Sequence, residues 1–135
     1  MELKQILNPK GWFIAIGVLI LLVWAPDVLD GEGRAIGSWG EGNLGSHDVA
    51  YEEMWAMWVL PLALMAISTG FFVKGKPLSQ MAMAASATIL LLLGGMIYMK
   101  ERHGYGEGAP IFVPITAATL VILLGISGYL HRNDE

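Results

Sequence analysis

Charged and apolar positions alternate along this chain in blocks rather than in a helical or strand period. All twenty charged residues lie outside four stretches, Gly11 to Ala25, Met54 to Val73, Pro77 to Met99 and Gly108 to Leu130. A helix packed in a water-soluble protein keeps a polar face and shows charge every three or four positions, whereas these stretches carry no ionisable side chain at any phase. The pattern predicts an all-α integral membrane four-helix bundle. Its spans run over about 11–29, 54–73, 77–99 and 108–130, with a long connector over 30–53, in one membrane domain covering 1–135.

The connectors set the expected packing. Lys74-Gly75-Lys76-Pro77 is a tight turn, which predicts that spans two and three are antiparallel neighbours. The short connector Lys100 to Glu107 predicts the same of spans three and four, while the long first connector leaves span one free to pack widely. Span one is short. Its uncharged run rises roughly 22 Å, less than a hydrocarbon core of about 30 Å, so either Lys10 snorkels and the helix continues through Pro26 to Leu29, or the bilayer thins. Trp12 and Trp24 bracket it as interfacial anchors. Lys4 and Lys10 before an apolar run resemble a secretory signal, but Pro26 directly after Ala25 spoils the cleavage site, and an uncleaved span is expected.

Small residues mark candidate helix contacts. Ala84, Thr88 and Gly95 share one face of span three, Ala87 and Gly94 form a second ridge, and Gly125 and Gly128 do the same in span four. Pro61 and Pro114 kink their helices or sit in first turns.

Composition narrows the functional classes. With 135 residues, 55% hydrophobic and 15% charged, the spans consume most of the chain, and a net charge of -4 argues against nucleic acid. The absence of cysteine excludes disulfides and thiolate chemistry. Lysine and arginine sort five against three: Lys4, Lys10, Lys74, Lys76 and Arg132 on one side, and Arg34, Lys100 and Arg102 on the other. That bias places both termini in the cytoplasm of a bacterial-type inner membrane. No span holds Asp, Glu, Lys, Arg or His, which disfavours ion pumps and proton-coupled carriers. His47, His103 and His131 lie outside the spans, which disfavours a haem anchor.

Candidate chemistry is therefore confined to the outer connectors. Gly-Glu-Gly occurs at 31–33, 40–42 and 106–108, on backbone that turns easily. His47, Asp48 and Glu52 offer imidazole and oxygen ligands for a divalent cation, against the plainer reading of a solvated acidic loop. Glu52 or Glu53 is expected to pair with Arg102 or Lys100 and close the outer end of the bundle. Glu53, Trp55, Trp58, Arg102 and His103 then form a candidate site for a quinone or lipid headgroup. Glutamates in a first helical turn are also explained by the helix dipole alone. The methionines of spans two and three read as packing residues, since no histidine or cysteine lies at their depth to help bind copper.

Ala25-Pro26-Asp27-Val28-Leu29 closing span one, a glutamate-led second span ending near Gly70, and Arg102 after span three give an order of features that resembles small tetraspan membrane proteins of the DoxX-like type and a neighbouring family of unassigned activity. The resemblance implies a four-helix membrane fold and, through some DoxX-like members, a link to quinone-dependent oxidation. It carries over no catalytic residue, and the long Gly- and Glu-rich first connector departs from it. No cofactor is required by the residues themselves. Three functions are consistent with this pattern. The first is a non-catalytic accessory or structural subunit that sits in the lipid bilayer as a homo-oligomer or within a larger membrane complex. The second is a quinone- or lipid-binding component of a membrane oxidoreductase. The third is a transporter of a neutral small molecule lined by Ser68, Thr69, Ser86, Thr88, Thr116 and Thr119.

Overall fold

The computed structural model describes residues 3–106 and 110–134. Its helices are α1 (Leu3–Ile6), α2 (Pro9–Trp24), α3 (Glu32–Trp39), α4 (Asp48–Phe72), α5 (Gly75–His103) and α6 (Phe112–Leu130), with 3-10 turns at Pro26–Val28 and Glu41–Asn43. Four helical runs, Leu3–Val28, Asp48–Phe72, Gly75–His103 and Phe112–Leu130, are long and apolar enough to cross a membrane. The chain is a small multi-pass membrane protein.

Local signals explain the boundaries. The Asn8 side chain accepts a hydrogen bond from the Lys10 N–H at 2.9 Å, and Pro9 occupies the first helical position of α2, where its missing N–H costs nothing. The short first span is extended rather than matched by a break: α2 runs to Trp24 and the Pro26–Val28 turn continues it. Lys10 leans over the Phe71 ring at 6.0 Å, its stem along apolar surface. At the other extreme α5 ends on Gly104 in the left-handed region, whose N–H reaches the Lys100 carbonyl at 2.8 Å. Asp48–Phe72 begins almost two turns before the apolar stretch does, which carries Glu52 and Glu53 onto the helix.

The bundle consists of two antiparallel hairpins, α2 with α4 and α5 with α6, and α2 lies between α4 and the second hairpin. The tight turn does not make α4 and α5 packed neighbours, contrary to the expectation from its length. Extended Val73 and Lys74 separate the two helices, and α2 takes the place beside α4 that a simple hairpin would give to α5. Glycines make that possible. A Cβ on Gly17 would stand 2.7 Å from the Ala63 carbonyl oxygen, and one on Gly70 would stand 2.9 Å from the Lys10 carbonyl oxygen. Backbones approach this closely in a membrane only where side chains are absent.

In the second hairpin Gly125 faces Ser86, with a Cβ position 2.5 Å from its Oγ, and Gly128 faces the Ser79 carbonyl at 2.6 Å. The Ser86 hydroxyl donates to the Val121 carbonyl across the interface at 2.8 Å. The face that α5 offers is thus Leu78, Ser79, Ala82 and Ser86. Ala84, Ala87, Thr88, Gly94 and Gly95 stand on other faces and are exposed, and Thr88 bonds back to the Ala84 carbonyl of its own helix.

Phe13, Ile16, Leu78, Ala82 and Leu124 form the core where the two hairpins meet, at the end of the bundle that carries both termini. The termini are clamped there. Lys4 Nζ donates to Asp134 at 2.9 Å, His131 lies 2.6 Å from Asp134 through Nδ1 and 3.0 Å from the Lys4 carbonyl through Nε2, and Ser79 donates to the His131 carbonyl at 2.9 Å.

Candidate functional site in the cap

The opposite end is closed by the first connector, which folds into a cap instead of remaining a solvated loop. Asp27 and Arg34 anchor it: Arg34 donates to Asp27 Oδ2 from Nε at 2.8 Å and from Nη2 at 2.5 Å, while its guanidinium lies 4.3 Å from the Trp24 ring centre. With side chains only 29% and 15% exposed, this pair is better shielded than an ordinary surface bridge. It holds α3 over the end of α2. Gly31 lets the connector lie flat on α4, since a Cβ there would meet the Val49 carbonyl oxygen at 2.9 Å. Ala35 and Ser38, one turn apart on α3, are buried by that contact.

Beneath α3 lies Glu52. The sequence from Glu52 through Ala56 and Ala63 to Gly70 forms the buried face of α4, so Glu52 continues an apolar stripe with a carboxyl group. Its residue is 3% exposed. Tyr105, from the connector between α5 and α6, donates its hydroxyl to Glu52 Oε1 at 3.1 Å. The neighbouring Gly106 N–H donates to the Ser38 carbonyl at 2.7 Å, and the Tyr105 and Trp39 rings meet edge to face at 5.2 Å. Three separate segments thus converge on one carboxylate. Burial, and secondarily the Glu52 charge, hold the Tyr105 hydroxyl above its ordinary range, while the Ser38 hydroxyl and the Arg34 charge pull the other way. Tyr105 therefore stays protonated and remains a donor at neutral pH. Glu52 Oε2 is buried and has no hydrogen-bond partner among the described residues. A buried carboxylate oxygen without a donor is costly, and its presence singles out this position among the polar groups of the fold.

The residues expected to carry chemistry are distributed differently. Glu53 sits against Gly31 rather than against a cation. Trp55 and Trp58 are exposed on the outside of α4, Arg102 donates to Tyr98 of its own helix at 2.6 Å, and His103 is exposed at the end of α5. These five do not converge. Neither Glu52 nor Glu53 pairs with Arg102 or Lys100 among the described residues; the partner of Glu52 is the uncharged Tyr105. Of His47, Asp48 and Glu52, the first two lie together, with His47 Nε2 3.8 Å from Asp48, but they do not enclose a site with Glu52. His47 is exposed, Asp48 turns back to accept the Gly45 N–H at 2.5 Å, and Glu52 points under the cap. No group of three or more His, Cys, Asp or Glu able to hold a metal ion occurs among the described residues. Of the third Gly-Glu-Gly, Glu107 and Gly108 lie outside them.

Tyr105, Trp39 and Ser38 were not singled out from the sequence. The available signal was the amphipathic pattern of residues 32–39, with Ala35 and Ser38 on one face of the helix. That pattern marks an interfacial helix and leaves its partner open.

Compared with protein-family models, curated proteins and solved structures, the chain has no match to any of them, so the layout of four long apolar helices stands without a family assignment.

Proposed function

We propose that this protein is a non-catalytic accessory subunit that packs within the membrane against a second copy or a larger complex. The supporting observation is α5. From Gly94 to His103 every residue is exposed, whatever its phase on the helix, and nothing lies within 4 Å of a Cβ placed on Gly94 or Gly95. Glycine in a helix interior costs about 1 kcal/mol relative to alanine. Inside the second hairpin Gly125 and Gly128 offset that cost by admitting a neighbouring helix, whereas adjacent Gly94 and Gly95 meet no helix among the described residues. A close backbone approach by another transmembrane helix would recover the loss. The spans as a whole point the same way, because no more than 22% of the most apolar window of any span is buried within the protein.

The test is the mass of the purified particle in mild detergent, for the wild type and for the double substitution Gly94→Leu with Gly95→Leu. The wild type is expected as an oligomer or with a co-purifying membrane protein, and the double variant as a single chain. A strictly monomeric wild type without a partner, or an assembly indifferent to both leucines, would refute the proposal.

A further inference from the structure

The unpartnered oxygen of Glu52 has a chemistry that selects its occupant. Oε1 is taken by Tyr105, and the one cation on α3, Arg34, is committed to Asp27 and to the Val23 carbonyl. What Oε2 lacks is a donor, and a positively charged donor would also neutralise the buried carboxylate. A guanidinium binds best through both carboxylate oxygens, and only one is free. A metal ion of ordinary affinity needs more ligands than this one carboxylate and the Ser38 and Tyr105 hydroxyls supply. A primary ammonium needs one strong acceptor and gains from aromatic walls. Tyr105, whose hydroxyl reaches Oε1, provides one, and Trp39 meets that ring edge to face at 74°.

The location fits a headgroup. Glu52 lies at the cap end of α4, and exposed Trp55 and Trp58 begin one turn further into the span, at the depth of an interfacial aromatic belt. Tyr105 stands between Gly104 and Gly106, both at positive φ (71° and 82°), and among the described residues this turn meets the cap through the Gly106–Ser38 backbone hydrogen bond and the Trp39 ring, and α4 through the tyrosine hydroxyl.

We infer that Glu52, Trp39 and Tyr105 form a binding site for a primary ammonium group, that of a phosphatidylethanolamine headgroup at the membrane surface. The trimethylated headgroup of phosphatidylcholine has no N–H to offer Oε2 and is discriminated against for that reason.

The full chain, purified in mild detergent and stripped of lipid, is titrated with short-chain phosphatidylethanolamine, phosphatidylcholine and phosphatidylglycerol, and bound lipid is counted by native mass spectrometry. The wild type is expected to prefer phosphatidylethanolamine over phosphatidylcholine by about tenfold, the value of one charge-assisted hydrogen bond. Glu52→Gln should abolish the preference, and Glu53→Gln, one position along the same helix, should keep it. Trp39→Leu, which leaves the carboxylate intact, should weaken phosphatidylethanolamine about threefold and provides the reading if Glu52→Gln does not fold. Free ethanolamine binding as tightly as the lipid would assign the same ammonium site to a soluble amine. The inference fails if the wild type shows no preference, if Glu52→Gln retains it, or if Glu53→Gln loses it equally. In each of these cases Oε2 is served by water and the lipid response is general surface charge.

Discussion

Replacing Gly17 with alanine adds a single methyl group at the tightest point between α2 and α4. That methyl would lie 2.7 Å from the Ala63 carbonyl oxygen and 2.6 Å from Ile67 Cγ1. The isoleucine can rotate, but the carbonyl belongs to the backbone of α4, so the helices must separate by about 0.7 Å to restore ordinary contact. Separation loosens the neighbouring approach at Gly70 as well, because both notches lie on the same helix pair. Overpacking of this kind costs about 1–3 kcal/mol, and the helix propensity gained on leaving glycine returns up to ~1 kcal/mol, for a net loss of about 1–2 kcal/mol. Gly11→Ala is the internal control. It lies on the same helix with nothing within 4 Å of the added carbon, so it should be neutral or slightly stabilising. Both variants are measured by loss of helical circular dichroism on titrating sodium dodecyl sulfate into mild-detergent micelles. If Gly17→Ala matched Gly11→Ala, the close approach of α2 to α4 would be refuted, and with it the placement of α2 between α4 and the second hairpin.

Arg34→Met should free the cap by leaving Asp27 partly buried and unpaired, at a cost of about 1–2 kcal/mol after allowing for its partial exposure; faster proteolysis within residues 30–47 reports it, and an unchanged cleavage rate would contradict the anchoring role. At the opposite end, hydrogen bonds first from Lys4 and then from His131 hold the Asp134 carboxyl below its ordinary value. A depressed folded value means that the clamp contributes fully above the ordinary carboxylate range of about 4 and is lost as pH falls through the lower folded one. Protection from hydrogen exchange over Leu3–Ile6, taken relative to the intrinsic rate at each pH, should therefore fall in acid for the wild type and be low at every pH for Asp134→Asn, and pH-independent protection in the wild type would count against the clamp.

Several features were legible before any coordinates. Exclusion of charge from four stretches is enough to place four membrane helices, because a bilayer penalises an ionisable group at every phase of a helix. Gly125 and Gly128 stand out as small residues on an otherwise bulky helix, and they meet α5. Their partner surface was not legible. Span three contains small residues on several faces, and Ala84, Ala87, Thr88, Gly94 and Gly95 are as regular in sequence as the Ser79, Ala82 and Ser86 face that packs. Lipid and protein are both apolar, so hydropathy does not distinguish a face turned to one from a face turned to the other.

The candidate site divides in the same way. Sequence alone confined chemistry to the connectors and the adjoining end of span two, and Glu52 lies within that region. It also favoured the pairing of opposite charges, whereas the folded chain gives Glu52 a tyrosine and leaves Arg102 to Tyr98. Attraction between charges is read from composition, but contact depends on which segment the backbone brings near. Tyr105 and Glu52 are 53 positions apart and meet only because the second hairpin reaches across to α3. Charge and hydropathy act residue by residue, so the sequence by itself determined the membrane as solvent, the four spans and the end at which polar groups collect. Tertiary structure alone decided the insertion of α2 between α4 and α5, the folded cap and the unpartnered oxygen of Glu52, because each depends on a close approach between residues distant in the chain.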